Sequence, residues 1–390
     1  MDNKINLCII VPNLNNDRLF KNKLLIDELS NSFNIKLVVL SGNNDDGFKL
    51  NNKEPIYLGI DQSDSILKYP LNYYQNINEL KSIKQRYNIN RSISFGKKAN
   101  IINILSKNRD KTILNIDKID DDSFVLEKFV KRFYKKADKI VVNSKAKMLF
   151  LKDEYKIDEE KLNIIEDLIP IDLISEKAAE EIDLEIKKLF ESKVIVTHGE
   201  LFEYKGQWHL IKAFFRLKEK IDDIKLLILG DGPLYEQLNE LIKSMNMEEE
   251  IKIIKELENP YKYLIRSDIY VLSSHFEYNK YSLLDAMACA RPIVSTACYE
   301  EIIRLLSPNN YVERLSEPFL AEYGVLVPVS QNELNTKSKV LNRNEIILSN
   351  AIFKLLNDYE LYDKYMEKSA RKAIEFSVKN TADKWVEIIR

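Results

Sequence analysis

Short β-branched runs alternate along the whole chain with stretches whose apolar residues recur every three or four positions. The runs read as strands and the 3.6-period stretches as helices; their alternation predicts parallel sheets with crossover helices. In the first part the strand candidates are Leu7–Val11, Lys36–Leu40, Ser92–Phe95, Thr112–Ile116 and Lys139–Asn143. After the first of them, Phe20, Leu24, Leu25 and Leu29 share a helix face. A second series opens near Lys193, with Val194–Thr197, Lys225–Leu229, Ile251–Ile254, Ile269–Leu272, Pro292–Ser295 and Val325–Val327. Leu234, Leu238, Leu241 and Ile242 share a face of one of its helices. Asn-rich pieces at 43–46 and 51–52 read as loops, as does the polar stretch 331–344.

Two such series predict an α/β protein with two Rossmann-like, doubly wound domains. The expected boundaries are 1–170, a linker at 171–185 that follows Pro170 and turns acidic, a second domain at 186–370, and a C-terminal helix at 371–390. Trp385 and Ile388 give that helix a face to pack back on the first domain. Doubly wound sheets bind ligands outside the carboxyl ends of their strands. Two such domains would face a central cleft, so chemistry is sought in the residues after each strand.

Composition narrows the classes. Of 390 residues 45% are hydrophobic and 31% charged, which is enough apolar surface for real cores and too much for a disordered chain. The net charge of −2 gives no field that pulls the chain onto nucleic acid. No apolar run approaches the ~18 residues of a membrane span, and the run from Leu7 to Pro12 is too short for a signal peptide. Three cysteines make no disulfide framework, which fits a cytoplasmic protein, and three histidines leave no zinc spacing. Glycine is scarce, with 9 in the chain, and neither GxGxxG nor GxxxxGK[ST] occurs.

The residues after the second-domain strands carry the strongest signal. After Val194–Thr197 stand His198-Gly199-Glu200 and then Tyr204-Lys205-Gly206. Gly230-Asp231-Gly232-Pro233 follows the next strand. After Ile269–Leu272 come Glu277-Tyr278-Asn279-Lys280-Tyr281-Ser282-Leu283-Leu284-Asp285 and Ala288-Cys289-Ala290. With these motifs in this order, the chain resembles glycosyltransferase family 4, the retaining nucleotide-sugar transferases of the GT-B fold. The likeness is densest from Val194 to Thr296 and thinner in the first domain, at 94–106 and 135–144.

That resemblance implies GT-B architecture and transfer of a sugar from a nucleotide-diphosphate sugar to a glycan or lipid-linked acceptor, in surface polysaccharide or glycoconjugate synthesis. It implies an acidic pair spaced E-x7-E, here Glu277 and Asp285, holding the sugar and the ribose, with Glu277 as the catalytic-position residue. Lys205 takes the diphosphate, beside Gly199, with Lys280, Ser282 and Leu283 in the same site. It implies no metal and no cofactor. The physics agrees with the roles. The leaving diphosphate gains charge and needs fixed cations, helix N-termini bind phosphate, and carboxylates accept from sugar hydroxyls. Work on lipid-linked acceptors would bring peripheral contact with the inner face of a membrane. Lys131, Arg132, Lys135, Lys136 and Lys139 form the one basic cluster suited to lipid phosphates, although such a cluster is most often a solvated helix face.

The departures fall on chemistry. The family's arginine, five before the lysine, is Glu200, whose charge would repel a diphosphate. The second acid is the shorter Asp285, Tyr278 stands where the family has glycine, and Ala297 replaces an aspartate. No histidine occurs in the first 197 residues. Lys280 and Arg291 are candidate replacement cations. Two main readings follow: an active transferase with a divergent donor site, or a catalytically inactive relative serving as partner subunit to another glycosyltransferase or as a glycan-binding module. A different two-Rossmann enzyme, such as an epimerase, has only Asp17 and Asp117 in its favour.

Overall fold

The computed structural model describes residues 4–14, 17–42, 54–59, 70–117, 130–255, 258–277, 280–310, 312, 314–331 and 333–390, the side chains of 17–20 and 70–73 excepted. Tyr278, Asn279 and Phe20's side chain lie outside the described residues. The chain divides into two compact units, Met1–Pro170 with Phe376–Arg390, and Ile171–Glu375.

The first unit holds a seven-stranded sheet of β1 (Asn6–Val11), β2 (Asn34–Val39), β3 (Ile56–Tyr57), β4 (Arg91–Phe95), β5 (Lys111–Ile116), β6 (Lys139–Val142) and β7 (Leu162–Ile164). The order is β3-β2-β1-β4-β5-β6-β7, and the pairings are parallel. Strand β1 is apolar along almost its whole length because helices cover both faces of a parallel sheet. Its side chains alternate: Leu7, Ile9 and Val11 enter one core with Leu25, Leu29 and Trp385, while Cys8 and Ile10 enter another with Leu80, Ile83 and Ile102. Trp385 belongs to the helix Val378–Ile389 and lies 5.9 Å from the Phe95 ring. Arg91 Nε donates to the Ile389 carbonyl at 2.8 Å.

The second unit repeats the plan with β8 (Lys193–His198), β9 (Ile224–Leu229), β10 (Ile251–Ile254), β11 (Ile269–Leu272), β12 (Ile293–Thr296), β13 (Phe319–Leu320) and β14 (Val325–Val327). Its order is β10-β9-β8-β11-β12-β14-β13, and only β13 runs antiparallel to its neighbour. The order reverses between β8 and β11, so the loops after those two strands flank the switch point where doubly wound sheets bind ligands. Trp208, Leu210, Ile211 and Phe214 of helix Gln207–Lys218 are fully buried against this sheet. Leu234, Leu238, Leu241 and Ile242 are buried as one face.

The structure differs from the sequence reading at three kinds of place. Residues 171–185, expected as a linker, belong to the second unit. Helix Ile171–Ala178 is tied there by Asn259 Nδ2 donating to the Lys177 carbonyl at 2.7 Å and by Arg266 donating to the Ala178 carbonyl at 3.0 Å. The return to the first unit comes at Phe376 and not at 371, because helix Tyr359–Ile374 runs through that point. Strands β3, β7 and β13 were not foreseen; at two or three residues each they are too short to show a period.

Candidate active site

The second unit brings the strand-end motifs together through backbone contacts that glycine permits. At Gly206 the chain turns with φ 61° to open helix Gln207–Lys218, and a β-carbon there would lie 2.5 Å from the Ser273 carbonyl. At Gly230 a β-carbon would lie 2.0 Å from the Gly199 carbonyl. Any side chain at either place would push the loops apart. Hydrogen bonds then lock the three loops. Ser273 Oγ donates to the Lys205 carbonyl (3.1 Å), His275 N to the Tyr204 carbonyl (2.8 Å), and Thr296 Oγ1 to the Ser274 carbonyl (2.6 Å).

Within this frame Lys205 Nζ donates to Glu277 Oε2 at 2.5 Å. The two side chains, 72 residues apart in sequence, are 11% and 3% exposed. Ser274 Oγ donates to the same oxygen at 3.4 Å. The aliphatic stem of Lys205 passes over Gly199, where a β-carbon would sit 3.5 Å from Lys205 Cε. The phosphate ligand and the sugar ligand expected from sequence are thus one ion pair. Lysine has three donors, so Lys205 can hold Glu277 and still present two N–H bonds to an anion. Cys298, after β12, is pushed up to about 12 by burial, with Glu277 adding to the effect; this thiol stays protonated.

The other expected residues are distributed as follows. Helix Tyr281–Ala288 opens at Lys280, whose carbonyl accepts from Leu284 N. Ser282 lies in its first turn, and Leu283 is fully buried, so Leu283 offers a ligand only its backbone. Asp285 accepts from the Tyr261 hydroxyl, and burial together with that carboxylate drives the Tyr261 phenol upward. The charges of Glu277 and Asp285 both act on Tyr270, a fully buried residue of β11 whose hydroxyl donates to the His198 carbonyl at 3.3 Å. Arg291 is not a replacement cation. Its guanidinium donates to the Cys289 carbonyl at 2.8 Å and to the Ser267 carbonyl, at the far end of an eight-residue helix ~12 Å long. Among the basic cluster, Lys139 donates to the Glu160 carbonyl at 2.9 Å and Lys131 lies 4.9 Å from the Tyr155 ring centre.

Two of the three histidines, His209 and His275, tether the loop after β14. His198 is lowered to about 4 by burial and by Lys205, and His275 to about 4 by burial and by His209. Both rings are neutral at neutral pH. His275 Nδ1 donates to the Ser330 carbonyl (3.2 Å), while His209 bonds Glu345 Oε1 through Nδ1 (2.6 Å) and the Gln331 carbonyl through Nε2 (3.0 Å). Sequence reading missed this tether of the loop after β14. Its one sequence signal was Asn342-x-x-Glu345, a capping box that opens helix Arg343–Asn357. It also missed the setting of Glu200, whose Oε2 accepts from the Tyr204 hydroxyl at 3.1 Å.

The same region carries the likeness to known proteins. The family model described as Glycosyl transferases group 1 matches residues 180–313, a range that includes Lys205, Glu277 and Asp285. An uncharacterized glycosyltransferase of Methanocaldococcus jannaschii is 29% identical over 260 residues, covering 65% of this chain and 64% of that protein. The Campylobacter jejuni N-acetylgalactosamine-N,N'-diacetylbacillosaminyl-diphospho-undecaprenol 4-alpha-N-acetylgalactosaminyltransferase is 34% identical over 175 residues, 45% of this chain and 46% of that one. The matches therefore span less than two thirds of these relatives. The crystal structure of a glycosyltransferase from Rickettsia africae superposes with TM-score 0.72 over 99% of this chain and 98% of that chain, at 19% identity, which speaks for the fold. The chain thus matches the glycosyl transferases group 1 model over residues 180–313 and has the two-unit α/β fold of GT-B glycosyltransferases.

Proposed function

We propose that the protein is a retaining glycosyltransferase of the family 4 type, moving a sugar from a nucleotide-diphosphate sugar to a glycan or lipid-linked acceptor in surface polysaccharide or glycoconjugate synthesis. The observation that carries this is the Lys205–Glu277 pair at the carboxyl ends of β8 and β11. Lys205 stabilises the charge that develops on the leaving diphosphate, and the N–H groups opening helix Tyr281–Ala288 add to it. Glu277 accepts from the sugar hydroxyls and Asp285 from the ribose. With no carboxylate nucleophile assigned, attack comes from the face the diphosphate leaves, and a phosphate oxygen takes the acceptor's proton. The reaction needs no metal on this reading. The Campylobacter relative, whose name specifies a diphospho-undecaprenol acceptor, supports a lipid-linked acceptor, and work on one would bring the protein to the inner face of a membrane. Among the described residues no helix is long and apolar enough to cross one.

Calorimetry with UDP, GDP, ADP, CDP and dTDP, with EDTA and then with magnesium, tests it. One nucleotide should bind in EDTA, and Lys205→Ala should lose that binding. A second reading, a non-catalytic partner subunit, is favoured by Glu200, a carboxylate five residues before Lys205. Failure of all five nucleotides to bind selects that second reading.

A further inference from the structure

Glu200 is a poor neighbour for a diphosphate, yet the structure fixes it in place. Tyr204 donates its hydroxyl to Glu200 Oε2 at 3.1 Å, and Gln207 Nε2 donates to the Glu200 carbonyl at 2.9 Å. No lysine or arginine pairs with Glu200 among the described residues, because Lys205 is committed to Glu277. On the same loop Phe202 stacks on Tyr204, with ring centres 5.7 Å apart and planes 15° from parallel. Phe202 is 38% exposed while Leu201 beside it is fully buried. Lys205 Nζ lies 5.6 Å from the Tyr204 ring centre, which orders the loop as cation, inner ring and outer ring.

A carboxylate with no cationic partner accepts hydrogen bonds and repels anions. A stacked aromatic pair offers a flat apolar face. Together they match a neutral pyranose, which has a rim of hydroxyl donors and a face of C–H groups. They do not match a phosphate. We propose that Glu200, Tyr204 and Phe202 form a sugar subsite beside the Lys205–Glu277 pair, with Glu200 accepting from hydroxyls and Phe202 covering the ring. This deepens the transferase reading and rests on it for the ring's origin, which is either the donor's sugar or the acceptor's. The contact itself holds for a binding module too.

Saturation-transfer NMR on the full chain tests the contact without needing turnover. The probes are the methyl glycosides of glucose, galactose, N-acetylglucosamine and N-acetylgalactosamine, alone and with UDP, alongside calorimetry of UDP against the four matching UDP-sugars. If the acceptor's sugar binds here, at least one glycoside gives a signal that Glu200→Gln weakens about tenfold or more, the loss expected for a hydrogen bond to a charged group, and that Phe202→Ala weakens as well. If the donor's sugar binds here, the same variants erase the advantage of a UDP-sugar over UDP and leave UDP itself unchanged. Glycoside signals that persist while no nucleotide binds would sink the transferase reading and keep the subsite. The subsite is overturned if no glycoside or UDP-sugar senses either substitution, or if Glu200→Gln tightens UDP itself tenfold, which would put the carboxylate against the phosphates.

Discussion

Each unit buries a lysine against a carboxylate, and the surroundings of the two pairs separate architecture from chemistry. In the first unit Lys84 lies 2.9 Å from Asp110 with both side chains all but inaccessible. Lys84 also donates to Asn103 Oδ1 at 2.7 Å, and Ser92 Oγ donates to Asp110. Burial alone would raise the Asp110 carboxyl, but Lys84 and these hydrogen bonds outweigh it and hold the group below its usual range. The network sits between helix Pro70–Arg86, helix Lys97–Leu105 and β4, and every strong donor and acceptor in it is used. In the second unit Lys205 meets Glu277 on loops at the strand ends, with Ser274, among the described residues, as the one further side-chain partner, on the oxygen that Lys205 already uses. A saturated pair inside helix–sheet packing specifies a fold. A sparsely bonded pair at the switch point has capacity left for a ligand.

Substitutions can break that contrast. Lys84→Met should cost about 3–5 kcal/mol of stability, the penalty for stranding a buried carboxylate. Urea unfolding measures it, and the folded fraction should keep its nucleotide affinity. Lys205→Met also strands a buried carboxylate, Glu277, and should cost stability too; the contrast lies in function, where turnover of its folded fraction falls about 10²–10³-fold while that of Lys84→Met holds. Unchanged turnover in folded Lys205→Met protein would show that both pairs are structural.

Acid sharpens the comparison, because all three histidines lie in the second unit. His198 and His275 are held near 4 in the folded chain against an ordinary value near 6.5. Between those values the unfolded chain binds more protons, so their stabilisation is complete above about pH 6.5 and is lost as pH falls toward 4. The two tryptophans report separately, Trp208 from the second unit and Trp385 from the first. Thermal melts of single-tryptophan variants should show the Trp208 transition falling between pH 7 and pH 5 while the Trp385 transition holds. Parallel shifts would mean the units do not unfold independently.

The smallest effect concerns Ala290, which follows helix Tyr281–Ala288 with φ 56°. Its N–H donates to the Met287 carbonyl and that of Arg291 to the Ala286 carbonyl, a helix-ending pair of bonds that favours glycine. Ala290→Gly should stabilise the second unit by about 1 kcal/mol. An unchanged melting temperature would show that glycine's extra freedom in the unfolded chain cancels the relief.

The sequence by itself determined the plan of this protein. Most interior strands of both sheets are short, largely apolar runs, as strands covered by helices on both faces must be, so β1, β8 and β11 could be read directly. It also set Lys205 in the loop after β8 and Glu277 before the helix that follows β11, with Asp285 about one turn inside that helix. Strands β3, β7 and β13 carried no pattern, because two or three residues show no period. Tertiary structure alone decided which of those residues touch. Lys205 and Glu277 are 72 residues apart, and only the glycine-permitted crossing of the loops after β8 and β11 brings them within a hydrogen bond. The same folding tied Arg291 to backbone carbonyls, gave Asp285 to Tyr261, and set Glu200 beside an aromatic pair. Periodicity is a local property of the chain, whereas the partner of a charge is fixed by whatever the packing brings near it.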